Sequence, residues 1–400
     1  MNQHTAEGDG GPRISAVIMH HPSRSRQLPT LVHRLSALSP RVIVDPDPDG
    51  PPSPLRTAKV AWATISPGAT HHVVFQDDIT PVPHIARLLH EAVAANPRQG
   101  ISLYVNWNSP QNAYSARRAA VAGSPWAPLS PLEYTPTLGL VLPVAHAAAL
   151  AEHLSTLPDV LRDDDEVITP FRLKAGLPTV AAVPHLLDHG DGRSLAGNDA
   201  HGSRHATVHA PGLALGTEYW TRTTAHDVAP GGRPFPSGAP DYAVEFIEST
   251  CQIRFVRPLA TEPVEHPFGW YWYDWCALIG VERDRVMETW RSATRPTGGP
   301  YEALTREFWA GCYLLGADAR LGPPPQSAAA AIHRELRRGA LESWIHSGLA
   351  APDRHALSPA EVSGLIDLGV RALAQGELDR AESADSWGLP HDTQSESLHA

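Results

Sequence analysis

Val73-Val74-Phe75-Gln76-Asp77-Asp78-Ile79 runs from an apolar, strand-length segment straight into two adjacent carboxylates. A buried strand cannot keep two unpaired acids in the core, so they emerge at its carboxyl end, where open α/β sheets bind ligands. Two acids there suit Mn²⁺ or Mg²⁺, cations that take carboxylate oxygens and share them with substrate phosphates. Thr80-Pro81 follows as a possible helix start, and then the same acids would cap a helix.

Outward from this stretch the chain alternates. Ile14 to Met19 has the pattern of a strand, and Gln27 to Leu38 that of a helix with Leu28, Leu31, Leu35 and Leu38 on one face. Arg41 to Asp45 forms a second strand, residues 46–54 a Pro/Asp/Gly-rich loop, Leu55 to Ile65 a helix, and Val73 to Gln76 the third strand. This order predicts a parallel sheet with right-handed crossovers. A helix over Pro83 to Ala95, strands over Gly100 to Val105 and Gly139 to Leu142, a helix over Ala145 to Leu154 and a strand over Thr179 to Val183 continue it.

The strand ends carry polar groups in a telling order. His20-His21-Pro22-Ser23-Arg24 closes the first strand, Asp45 the second and Gln76-Asp77-Asp78 the third; Asp163-Asp164-Asp165 and Pro184-His185-Leu186-Leu187-Asp188-His189 come later. Over about residues 13–200 this order resembles the GT-A type of nucleotide-sugar-dependent glycosyltransferase. The resemblance implies an α/β fold whose mostly parallel sheet is flanked by helices. It implies a metal-dependent enzyme that moves a sugar from a nucleoside diphosphate sugar to an acceptor, which is a small molecule, a glycan or a peptide. The acidic pair corresponds to that family's DxD motif, with Gln76-Asp77-Asp78 where many members show Asp-x-Asp. Asp78 and His189 are then the metal ligands, and Gln76 and Asp77 face the donor. If the reaction inverts, Asp164 or Asp165 is the candidate base that takes the acceptor proton.

Other assignments have duller alternatives. Asp45 either binds the donor's ribose or base or caps a turn. His20, Pro22 and Arg24 sit where donating groups meet phosphate oxygens. Asp163 to Glu166 precede an apparent helix, so one or two of them would cap it. Gly190 to Ser194 is a turn whose amides would fold over phosphates, which adds Ser194 to the donor-binding set; His185 is expected to be structural. His201, His205 and His209, at spacing four, would align for zinc on a helix, but Gly202, Ser203, Pro211 and Gly212 argue against one. Gly192-Arg193-Ser194-Leu195-Ala196 approaches a nucleophile elbow and lacks its last glycine.

The composition, 42% hydrophobic and 19% charged over 400 residues, is that of a globular chain. A net charge of −11 argues against broad nucleic-acid binding, and no apolar run is long enough to span a membrane. The amino end lacks a secretory signal, which points to a cytoplasmic protein. Cys251, Cys276 and Cys312 form no CxxC, so they are expected to be reduced thiols.

Four segments are anticipated: a disordered 1–12, a nucleotide-sugar-binding catalytic domain over 13–210, an aromatic-rich, mainly helical accessory domain over 211–381, and a disordered 382–400. In the third, Phe268 to Trp275 is dense in aromatics that either pack a core or form a stacking platform, and Ser358-Pro359-Ala360-Glu361 is a strong helix start. A sugar nucleotidyltransferase and a non-catalytic nucleotide-sugar-binding protein with a degenerate GT-A domain are the alternative functions.

Overall fold

The computed structural model describes residues 11–159, 163–190, 192, 202–222, 241–256, 263–294, 300–319 and 328–386. Nine strands lie in the first half: β1 (Ile14–His20), β2 (Arg41–Val44), β3 (His71–Gln76), β4 (Ile79–Pro81), β5 (Gly100–Ser102), β6 (Trp126–Pro128), β7 (Gly139–Pro143), β8 (Thr179–Ala182) and β9 (Leu187–His189). Seven of them make one sheet in the order β2, β1, β3, β7, β5, β8, β6. β1 pairs in parallel with β2 and β3, and β5 with β8, whereas β7 and β6 run antiparallel to their neighbours. The fold is therefore α/β around a mixed sheet in which five of the seven strands share one direction.

Period-two alternation splits each central strand between two apolar layers. Ala16, Ile18, Val73 and Phe75 pack in the cluster that holds α1 (Leu28–Arg34), α3 (Ile85–Ala95) and α4 (Pro110–Ala122). Val17, Met19 and Val74 face α2 (Pro54–Ala63), α5 (Val144–Ser155) and α6 (Asp164–Lys174). The expected helix over Gln27 to Leu38 breaks after Arg34 into a short 3-10 turn over Ser36–Leu38, yet Leu31, Leu35 and Leu38 stay buried as anticipated. Thr80-Pro81 does not open a helix. Ile79–Pro81 is a short strand antiparallel to Leu187–His189, and this ladder brings the acidic pair to His189.

The second half contains α7 (Thr217–Trp220), the antiparallel hairpin of β10 (Asp241–Ile247) and β11 (Thr250–Val256), and α8 (Trp272–Trp275). They are followed by α9 (Arg283–Ala293), α10 (Pro300–Asp318), α11 (Ala328–Gly348), α12 (Ala351–Ala356) and α13 (Pro359–Ser386). Trp272 is fully buried in their core with Phe308 and Trp344, so the aromatic stretch serves packing there. Two elements are shared between the halves. Leu336 and Ala340 of α11 join the first core, and Tyr114 and Val121 of α4 join the second. Of the expected disordered tails, residues 1–10 and 387–400 lie outside the described residues, while α13 continues to Ser386.

Helices α10 and α13 cross on glycines. A Cβ on Gly376 would lie 2.1 Å from the Tyr313 carbonyl oxygen, and one on Gly316 2.2 Å from that of Leu373. In an open helix Gly→Ala stabilises by about 1 kcal/mol. Here the clash is with backbone, so Gly376→Ala is expected to lower the melting temperature by several degrees, the overpacking penalty of about 1–3 kcal/mol or more outweighing propensity. A raised melting temperature would show that the helices are not in this contact.

Candidate active site

The chain passes from β1 to β2 on one side and then to β3 on the other, so strand order reverses between β1 and β3. A crevice opens at the carboxyl ends of the strands at such a reversal. The residues after β1 and after β3 meet there, in a cleft of about 680 Å³. Its lining includes His20, Arg24, Asp45, Gln76, Asp77, Asp78, Asp164, Asp165 and His189. One anticipated residue among the described ones is not in it. Pro22 is exposed, opens the 3-10 turn that places Arg24, and does not line the cleft, while Ser194 lies outside the described residues.

The two acids have different surroundings. Asp77 accepts from His20 Nδ1 at 2.8 Å, from the His21 backbone N–H at 2.8 Å and from Arg24 Nη1 at 2.9 Å. It is an internal clamp joining the ends of β1 and β3, which corrects the expectation that it faces the donor. Asp78 Oδ2 lies 2.8 Å from the same Arg24 nitrogen and 3.3 Å from His189 Nε2, whereas its buried Oδ1 has no hydrogen-bond partner. Burial alone would raise the Asp78 pKa, but His189 and the Arg24 charge outweigh it and hold the carboxyl at about 2.

His189 is oriented by its own neighbour. Its Nδ1 lies 2.6 Å from the Gly190 carbonyl oxygen, so Nδ1 carries the proton and donates it. Nε2 faces the Asp78 carboxylate; holding a proton it donates the hydrogen bond that lowers the Asp78 pKa, and without one its lone pair meets the carboxylate oxygen. Two acceptors facing each other call for a cation between them, either a proton or a metal ion, and a backbone carbonyl on the far ring nitrogen is the usual support of a metal-binding histidine. The Gly190 N–H donates to the Asp78 carbonyl at 2.7 Å, and a Cβ at Gly190 would sit 3.0 Å from that oxygen, so glycine permits the approach. Among the described residues no group of three or more His, Cys, Asp and Glu side chains forms a metal set. Asp78 and His189 fit a cation that completes its shell with ligand oxygens and water.

Asp45 is committed elsewhere. Arg56 donates to it through Nε at 2.8 Å and Nη2 at 3.0 Å, and the Asp47 N–H adds a third bond. Burial would raise its pKa, yet the Arg56 and Asp47 hydrogen bonds keep it low. Asp45 lines the cleft with its carboxylate paired to Arg56, and the pair places Arg56 on the cleft wall.

Opposite, α6 starts at the cleft. Gln76 Nε2 donates to Thr137 Oγ1 at 3.2 Å and Thr137 Oγ1 donates to Asp164 Oδ1 at 3.4 Å, a chain from the end of β3 to the start of α6. Gln76 thus serves this chain rather than a free donor contact. Asp164 is buried; Asp165 is half-buried and accepts its neighbour's N–H from Glu166 at 2.8 Å. Burial, and then mutual repulsion within the run Asp163 to Glu166, push both carboxyls up from the ordinary range.

A raised folded-state pKa stabilises the fold while the group is protonated, and that contribution is lost as pH rises through it. Asp165→Asn should therefore raise the melting temperature more at pH 8 than at pH 5. Equal differences at both pH values would contradict the shift.

The zinc alternative, which the sequence already disfavoured, has no helix behind it among the described residues. Asn106 bridges Ala206 and His185 bridges His209, so the segment is extended rather than helical, and His205 Nδ1 lies 3.2 Å from Asp188 Oδ2. His201 is outside the described residues. His185 is buried and structural, its Nδ1 donating to the Ala182 carbonyl at 2.7 Å, and burial lowers its pKa to about 3.

Sequence reasoning missed Arg56, Tyr104, Asn106, Ser109, Tyr134 and Arg204, all on the cleft wall. It also missed the half-buried Glu133, which accepts from Ser109 Oγ at 2.8 Å and from the Gln111 and Asn112 N–H groups at 2.9 and 2.7 Å, capping α4 beside the cleft. No protein-family model matches the chain, and no curated protein does.

Proposed function

We propose that the protein is a metal-dependent glycosyltransferase that uses a nucleoside diphosphate sugar and acts on a hydroxyl acceptor with inversion. One observation carries it. At the sheet's topological switch point, the Asp78 carboxylate, with Oδ1 unpartnered and Oδ2 3.3 Å from His189 Nε2, lines the same cleft as a carboxylate of raised pKa, Asp165. That combination provides a cation site and a base in one cavity of the size that takes a small ligand.

Among the described residues seven carboxylates against three arginines line the cleft, namely Asp45, Asp77, Asp78, Asp163, Asp164, Asp165 and Glu166 against Arg24, Arg56 and Arg204. A diphosphate entering such a field needs positive charge brought with it. Asp78 and His189 would hold Mn²⁺ or Mg²⁺, which offsets charge on the departing diphosphate. Arg24, fixed between Asp77 and Asp78, keeps the Asp78 carboxylate ionised and aimed. Asp165 takes the acceptor proton as the acceptor oxygen bonds to the anomeric carbon and the bond to the diphosphate oxygen breaks. Tyr134 and Asn106 supply hydrogen-bonding groups on the cleft wall.

The competing sugar nucleotidyltransferase would join a nucleoside triphosphate to a sugar phosphate and release pyrophosphate. Chromatography of reactions supplied with either substrate set separates them: the proposal expects nucleoside diphosphate from sugar nucleotides. Pyrophosphate release would replace it with the alternative. Among the described residues no helix is long and apolar enough to cross a membrane.

A further inference from the structure

Among the described residues three arginines reach the cleft, and two are already neutralised. Arg24 lies between Asp77 and Asp78, and Arg56 is held by Asp45 through two nitrogens. The guanidinium of Arg204 forms neither an ion pair nor a hydrogen bond among the described residues, although it lines the cleft and its charge is felt at Asp78 and at the Tyr104 phenol.

Its backbone is fixed in place. The Arg204 carbonyl accepts from Tyr104 Oη. On one side the Ser203 carbonyl accepts from Trp107 Nε1 at 2.7 Å and Asn108 Nδ2 at 2.9 Å. On the other, the Ala206 N–H donates to Asp188 Oδ1 at 2.7 Å, the same oxygen that accepts from the His189 N–H at 2.9 Å. One carboxylate therefore ties the platform of Arg204 to that of His189.

We infer that Arg204 grips the terminal phosphate of the departing nucleoside diphosphate, an assignment that rests on the nucleotide-sugar function proposed above. A half-buried guanidinium in a polar cleft without a carboxylate partner is placed for an incoming anion, and its planar fork matches phosphate oxygens. Its connection to His189 and Asp78 places it on the diphosphate side. Tyr134, whose neighbours are Glu133, Ser109, Asn106 and Asp165, belongs to the acceptor side. As the bond from the anomeric carbon to the phosphate oxygen breaks, the electron pair goes to that oxygen. Arg204 then stabilises the charge on the terminal phosphate.

The test is calorimetric titration of UDP, GDP, UMP and GMP, each with MnCl₂, into the full-length wild type, Arg204→Gln and Arg204→Lys. Arg204→Gln should lose roughly 10- to 100-fold in diphosphate affinity, as expected for one charge-assisted partner, and keep its monophosphate affinity. Arg204→Lys should recover part of the loss, and melting temperatures should match the wild type. An unchanged ratio of diphosphate to monophosphate affinity in Arg204→Gln overturns the assignment and leaves the nucleotide-sugar function standing. A wild type that binds neither UDP nor GDP overturns both.

Discussion

Asp165→Asn should bind the sugar nucleotide and Mn²⁺ as the wild type does while transferring sugar about 10²–10⁴-fold more slowly, the range expected for losing a general base. Binding survives because a base contributes mainly in the transition state. Between the two candidates, the geometry favours Asp165. Asp164 is buried against Thr137, whereas Asp165 is half-buried beside open space in the cleft. Its raised pKa adds a second expectation, because the base works only when ionised: wild-type transfer should rise with pH through a carboxyl pKa above the ordinary range. Pre-steady-state transfer and donor titration on the same preparations check it. Equal transfer in wild type and variant would leave the reaction without its proposed base.

Asp78→Asn and His189→Ala should each abolish the gain in donor affinity that Mn²⁺ gives the wild type, at least 10- to 100-fold if ligands matter no less than the groups that support them. Without metal the three proteins should bind donor alike. The variants differ in stability. Asp78 is buried and its carboxyl is depressed to about 2, so its amide variant should lose on the order of 2 kcal/mol, the free-energy equivalent of that depression. Removing the His189 ring leaves Asp78 paired with Arg24 and should cost less. A Mn²⁺ effect that persists in either variant would remove that residue from the cation site.

The junction at Phe75-Gln76-Asp77-Asp78 was legible because an apolar run cannot carry acids inward, and its place in the sheet followed from the β/α alternation before it. The roles of the two acids were not legible. Sequence shows two equal carboxylates, but His20 and the His21 N–H engage Asp77, Arg24 bridges both acids, and the ladder of Ile79–Pro81 with Leu187–His189 brings His189 to Asp78. That ladder is three residues long and joins segments about a hundred positions apart, below any periodic signal. The direction of β7 was hidden for a different reason: Gly139 to Leu142 is apolar on both faces and looks the same run either way.

Asp45 illustrates pairing over a longer range. Its partner Arg56 lies one helix later, and nothing in the helix pattern shows which way that arginine turns. Tyr134 and Glu133 sit in an irregular, proline-rich stretch with no period, so their placement at the head of α4 left no trace in the sequence. The interlocking of α11 with the first core also exceeds what composition reveals, since Leu336 and Ala340 fit equally well in a helical bundle of their own.

Thermal denaturation of the wild type with a panel of uridine and guanosine diphosphate sugars, with and without Mn²⁺, tests the central claim most directly, because only ligands of the native state raise its melting temperature by mass action. The expected result is a shift with at least one of these sugar nucleotides that requires Mn²⁺ and is lost in Asp78→Asn. Melting temperatures unmoved by every sugar nucleotide, with or without the metal, would contradict it.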